Sequence, residues 1–251
     1  MGIAIIIRRL IQQTYNSGLF VLLLLAPIAA FVISVLIVNV PSINAALLEN
    51  EGLRAEFTTT SAGFMTMFML LTATLSSKLI ANERFSRTIH RIFISPATMS
   101  TYTLASYLVN LLIQLVQVGV FVAVSTIAGV VFAVPLYVMA VLLLTFAIFA
   151  AFFGMWIGSV SKNVNQMILV SQIVIMPGML LCGMFFTFDT LPLVLQRVAF
   201  LFPQTWVTQA AFSYAGTLAA PYFAWMAGYI AVLCAAAGLV VRNHGLISAR
   251  R

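Results

Sequence analysis

Charge is what this sequence has least of. Twelve basic and five acidic residues are all that 251 residues carry, 7% of the chain. A water-soluble domain carries about a quarter, so water is excluded as the main solvent. Cysteine is nearly missing as well. Cys182 and Cys234 each sit inside an apolar run, which excludes a disulfide framework or a cysteine metal site and leaves two small buried hydrophobes. The alternating ten-residue strands of a membrane barrel are absent. So is a phosphate-binding loop of the form G-x-x-x-x-G-K-[ST], because the only lysines, Lys78 and Lys162, do not follow glycine. Any ATP hydrolysis must therefore be done by another chain.

What the sequence has in abundance is apolar length. Apolar residues make up 63% and the mean hydropathy is +1.13. Six runs, at 18–40, 60–81, 103–131, 136–159, 166–186 and 219–241, reach the roughly 20 residues that a helix needs to cross a bilayer. The expected fold is all-α: a single polytopic membrane domain over 1–251. The run at 18–40 exceeds the 7–15 residues of a signal-peptide core and has no small-residue cleavage site, so it reads as a retained span. Val134-Pro135 marks a tight hairpin between the third and fourth spans.

The net charge of +7 is explained by topology rather than by nucleic acid. With both termini cytoplasmic, the inner side holds ten basic residues: Arg8, Arg9, Lys78, Arg84, Arg87, Arg91, Lys162, Arg242, Arg250 and Arg251. The outer side holds two, Arg54 and Arg197. Basic residues gather on the cytoplasmic side. Four of the acids, Glu49, Glu51, Glu56 and Asp189, fall outside, and no acid or histidine lies within a span. That argues against a proton relay, and the lack of a nucleophile–base pair argues against a membrane enzyme.

Three segments are not plain spans. In residues 1–17, Ile3, Ile7, Leu10 and Ile11 share one helical face and Arg8, Arg9 and Gln12 lie opposite. Such a helix lies in the headgroup plane, either as a simple anchor or as a connector to a cytoplasmic partner. The stretch 187–216 is too polar to span, and Pro192 and Pro203 suit the starts of two short helices, 192–201 and 204–214, re-entrant or interfacial at the outer side. Pro177-Gly178 is expected to kink the fifth span leading into them.

The third segment holds Glu83, Arg84, Arg87 and Arg91 within nine positions. As a helix over 83–94 it places Phe85, Ile89, Ile92 and Phe93 on one face and the arginines on the other, and Ser95-Pro96 ends it. Burying those charges in lipid costs on the order of 2.5–3.5 kcal/mol each, so the helix lies outside the hydrocarbon. An ordinary basic loop is one reading. A docking helix is the other, and the continuous apolar stripe favours it.

"ERFSRTIHRIFISPATMS" resembles the signature of type-2 ATP-binding-cassette exporter permeases, which in the drug-exporter branch reads roughly E-R-E-x-G-T-L-x-R-L-L-x-S-P. Glu83, Arg84, Thr88, Arg91, Ser95 and Pro96 match, and hydrophobic positions 89, 92, 93 and 94 match in type. Arg87 stands where the family prefers glycine, Phe85 where an acid is frequent, and Ser106 where a lysine is common. "PGMLLCGMFFTFDTLPLVLQRVAFLFPQTWVTQAAF" is similar in its Gly, Leu-Pro and later Pro spacing. The resemblance implies that 83–94 is a coupling helix docking on a separate ATPase, which carries ATP and Mg, while this chain binds no cofactor. It implies that 1–17 is the connector, that the short helices around Pro192 and Pro203 close the outer side, and that two permease subunits, identical or homologous, pair in a prokaryotic plasma membrane. The cargo expected is amphipathic or hydrophobic (a drug, antibiotic, lipid-like molecule or peptide). A stand-alone secondary transporter or channel, and a membrane scaffold or enzyme, are the competing readings.

Polar residues within the spans leave two readings open. Thr103, Ser106, Asn110, Gln114 and Gln117 share a face of the third span, and Gln166, Ser171 and Gln172 lie on the fifth. They line a cargo pathway, or they join helices by hydrogen bonds. Gly154 and Gly158, with Ala147 and Ala151, form a small-residue face for close helix packing. The methionines at 167, 176, 179 and 184 are either an adaptable surface or filler.

Overall fold

The computed structural model describes residues 49–85, 99–161, 163–212, 221–232 and 235. The expected connector with Arg8, Arg9 and Gln12, the first span, and Thr88, Ile89, Arg91, Ile92, Ser95 and Pro96 lie outside the described residues, as does most of the chain after 232.

The first described helix, α1 (Glu51–Phe85), is 35 residues long, roughly 52 Å. It begins nine residues before the expected second span. Asn50 supplies the reason, since its Oδ1 accepts from the backbone N–H groups of Gly52 (3.0 Å) and Leu53 (3.3 Å). That satisfies two donors left without partners at the helix start. Glu51 in the first turn suits the helix dipole. Nor does the helix stop at 81, and Glu83, Arg84 and Phe85 are its last residues. A hydrocarbon core of about 30 Å is shorter than α1, so polar ends project beyond it.

α2 (Met99–Ile127) ends in a Schellman turn. Gly129 takes φ +63°, its N–H reaches Thr126 O, and Val130 N–H reaches Ser125 O. A left-handed residue is what this motif needs, and glycine has no Cβ to oppose it. Pro135, with φ near −57°, opens α3 (Leu136–Val160). Asn163 caps α4 (Val164–Leu181) by accepting from Gln166 N–H at 2.7 Å. A single 3₁₀ turn (Phe188–Thr190) follows, then α5 (Leu193–Ala199) directly after Pro192, and α6 (Pro203–Phe212) starting at the second proline. A further helical stretch, α7, covers 221–232.

α1 is the centre of the bundle, packing most extensively on α3 and also on α6, α4 and α2. Gly154 makes the closest approach possible, since a Cβ there would stand 2.5 Å from Ala73 O and 2.8 Å from Ser77 Oγ. The small-residue face of α3 is thus a packing surface against α1. Met69, Leu70, Leu143, Phe146, Met167 and Ile175 fill the core between helices.

The polarity of the bundle is inverted relative to a soluble protein. Leu104, Leu108, Leu112 and Leu115 along α2, and Leu169, Ile173, Met176 and Leu180 along α4, are exposed. Ser106, Asn110, Gln114, Gln117 and Ser125 of α2 are buried. A helix with its apolar face outward and its polar face inward is arranged for lipid. Three described helices have the length and apolarity to cross a membrane: Leu104–Ile127, Leu136–Gly158 and Val164–Leu181. α1 is long enough but less apolar, being rich in hydroxyls. Thr58, Thr59, Thr66, Thr74, Ser76 and Ser77 are buried and each donates to a carbonyl three or four residues back, at 2.6–3.0 Å. Those internal bonds remove most of the cost of burying a hydroxyl.

Candidate functional site

The polar face of α2 meets α1, and its residues do not all play one part. Gln114 Nε2 donates to Met69 O at 2.8 Å and Gln117 Nε2 to Thr72 Oγ1 at 2.8 Å. These two glutamines join helices. Asn110 is different: it is 2% exposed and neither its Nδ2 nor its Oδ1 has a partner among the described residues. A buried amide left so costs about 1–3 kcal/mol. On α4, Gln172 is half-buried with its Oε1 also unpartnered among the described residues, whereas Ser171 Oγ is turned back to Ile168 O. The expected pathway residues thus split into two that hold α1 to α2 and two with spare hydrogen-bonding capacity.

The methionines do not form one surface. Met167 and Met184 are buried while Met176 is exposed. Met184 fills the space above Gly63, where a Cβ would come within 2.9 Å of it.

α5 and α6 fold back on the bundle. Gln204, 1% exposed, occupies the space that a Cβ on Gly178 would need, and its Nε2 reaches Ile175 O at 3.5 Å. Gly178 follows the helix-interior Pro177, so the Pro-Gly pair both removes a backbone donor and opens a seat for α6. Thr208 Oγ1 donates to Cys182 O at 2.6 Å, satisfying a carbonyl at the end of α4. Trp206 Nε1 donates to Phe200 O at 2.8 Å and Tyr229 OH to Leu201 O at 2.8 Å. Trp206 and Trp225 stack at 5.3 Å, so α7 is pinned to the α5–α6 turn. Pro192 and Pro203 set the starts of these helices, Pro192 exposed and Pro203 buried.

At the acidic end of α1 a cavity of about 130 Å³ opens between α1, the segment after α4, and α6. Gly183, with φ +87°, turns the chain out of α4 and carries Met184 to Asp189 around it. Glu56 and Thr187, 131 residues apart in sequence, meet across it, Thr187 Oγ1 donating to Glu56 Oε1 at 3.4 Å. Asp189 lines the same cavity. Sequence reasoning placed Glu56 and Asp189 on one side of the membrane but had no signal that they share a cavity. It also missed Thr58, whose Oγ1 accepts from Ala133 N–H at 2.8 Å and ties the α2–α3 turn to α1. Among the described residues no group of three or more His, Cys, Asp or Glu side chains is placed to hold a metal.

No curated protein matches the chain. The family model of the ABC-2 type transporter does, over residues 2–214, a range that takes in the described helices α1 to α6 and all of the 83–96 signature. With most of its length matched, and helices apolar outward and polar inward, this chain belongs to the ABC-2 type transporter family, as a multi-pass membrane permease domain.

Proposed function

We propose that the chain is the permease subunit of an ATP-driven exporter, powered by a separate ATPase subunit. The family match over 2–214 carries the reading, because it includes the basic amphipathic segment 83–96 as well as the bundle. In this reading 83–94 docks on the ATPase through Arg84, Arg91 and the apolar stripe of Phe85, Ile89 and Ile92, while Glu83, Thr88, Ser95 and Pro96 shape it. The termini are cytoplasmic, the membrane is the plasma membrane, and the connector at 1–17 supports the docking. ATP and Mg reside on the partner, and a second permease subunit, identical or homologous, completes the pathway. α1 continues without a break to Phe85, so a push on the docking segment is delivered to the helix at the centre of the bundle. That geometry suits a two-state mechanism biased by nucleotide binding.

Amphipathic or hydrophobic cargo, of the kind handled by drug exporters, passes the spare amides of Asn110 and Gln172. It leaves at a gate formed by α5 and α6, which start at Pro192 and Pro203. The test is copurification with the ATPase and cargo efflux in cells, with Arg84→Glu and Arg91→Glu combined. Loss of both supports the reading. ATPase association and efflux that persist unchanged overturn the docking role, and solute movement by the purified chain without any ATPase supports a stand-alone transporter instead.

A further inference from the structure

The cavity at the acidic end of the bundle has a chemistry of its own. Among the described residues, Glu56 and Asp189, two of the five acids in the chain, line it and no lysine or arginine does. Neither carboxylate has an ion pair among the described residues. Four phenyl rings, Phe185, Phe186, Phe188 and Phe212, line the same space, three of them 43–58% exposed. Acid and aromatic faces together attract a cation, one by charge and the other by the ring quadrupole. The size is also selective. About 130 Å³ is well below the roughly 300–1,000 Å³ of a site that encloses a drug-sized ligand, so it takes a head group only, with a tail left along the exposed rings.

We propose that this cavity binds the quaternary ammonium head group of a cationic amphiphile. Glu56 and Asp189 supply the negative charge and Phe188 a ring face. The proposal rests on the transporter reading only in making the amphiphile a cargo, because binding itself is measured without turnover. The same head group is carried by a free amphiphile and by phosphatidylcholine, and the experiment separates the two.

The full chain, in nanodiscs of phosphatidylglycerol, is titrated with choline and with 3,3-dimethylbutan-1-ol, its uncharged isostere, by calorimetry. Choline binding with the alcohol bound at least about tenfold more weakly is the expected result. Glu56→Gln with Asp189→Asn weakens choline binding about tenfold and Phe188→Leu about two- to fivefold, the span of a cation–π contact. Asp189→Asn alone reads the same charge dependence if the double variant does not assemble. Repeating the titration in phosphatidylcholine nanodiscs identifies the source. Lost choline binding there makes the lipid head group the occupant, and unchanged binding makes it a free cation. Equal binding of the alcohol, or choline affinity unchanged in the acid variants, overturns the site. No efflux by the unaltered chain together with its ATPase, with choline binding intact, counts against the transport reading and leaves the site standing.

Discussion

Gly154 rests against the carbonyl oxygen of Ala73 with no room for a methyl group between them, since a Cβ would stand 2.5 Å from that oxygen. Four residues on, Gly158 is less constrained, since a Cβ there would first meet Ser77 Cβ at 3.3 Å. The two glycines are therefore unequal. Gly154→Ala must push α3 off α1, a backbone shift that costs about 1–3 kcal/mol. Gly158→Ala needs a displacement of a few tenths of an ångström and costs less than about 1 kcal/mol. Thermal unfolding of the purified variants, followed by tryptophan fluorescence, is expected to rank them in that order.

Asn110 and Gln114 lie one turn apart on the same buried face, yet they are expected to respond oppositely to leucine. Gln114→Leu removes the bond to Met69 O and lowers stability by about 0.6–1.7 kcal/mol, the range for interhelical bonds in membranes. Asn110→Leu removes an amide with no partner among the described residues, so stability is unchanged or rises. Efflux is expected to follow the reverse order, falling more for Asn110→Leu. A stability loss in Asn110→Leu as large as that in Gln114→Leu would mean the amide is structural.

Much of this bundle was legible because lipid imposes simple rules. α3 was bounded within a residue, since Pro135 can only start a helix and the glycines and alanines of 147–158 call for close packing. The short helices after Pro192 and Pro203 were legible for the same reason. α1 was legible only in its middle. The run expected at 60–81 lies inside the helix Glu51–Phe85, but its first turns carry Glu51, Arg54 and Glu56 and so fall outside an apolar run, although Asn50-Glu51 is a helix-start pair. The end of α2 was placed at 131 rather than 127, Gly129 being missed as a left-handed stop. The meeting of Glu56 with Thr187 depends on how α4 turns at Gly183, and periodicity along one element contains no such information.

Tyr222 is fully buried and its OH donates to Leu142 O at 2.9 Å, eighty residues away. It is a polar link between α7 and α3. Tyr222→Phe keeps the ring and loses only that bond, so a cost of about 0.5–1.5 kcal/mol is expected. Tyr229→Phe is expected to cost less, because Tyr229 is only half-buried and water or headgroups can replace its bond to Leu201 O. Unfolding midpoints of the two variants give the comparison.

Thr208 connects helix packing to the cavity. It is fully buried, and its hydroxyl donates to Cys182 O at 2.6 Å, the carbonyl just before the chain turns at Gly183 to form the cavity wall. Thr208→Val preserves shape and leaves that carbonyl without its partner, a cost of about 1–3 kcal/mol. The damage is local in origin. Hydrogen exchange is expected to accelerate at 183–189 while α3 keeps its protection, and choline affinity is expected to fall although neither carboxylate has been touched. Thr208→Ser, which restores the donor, is expected to recover both. Uniform loss of protection across all helices would instead mean that Thr208 supports the whole bundle rather than the turn.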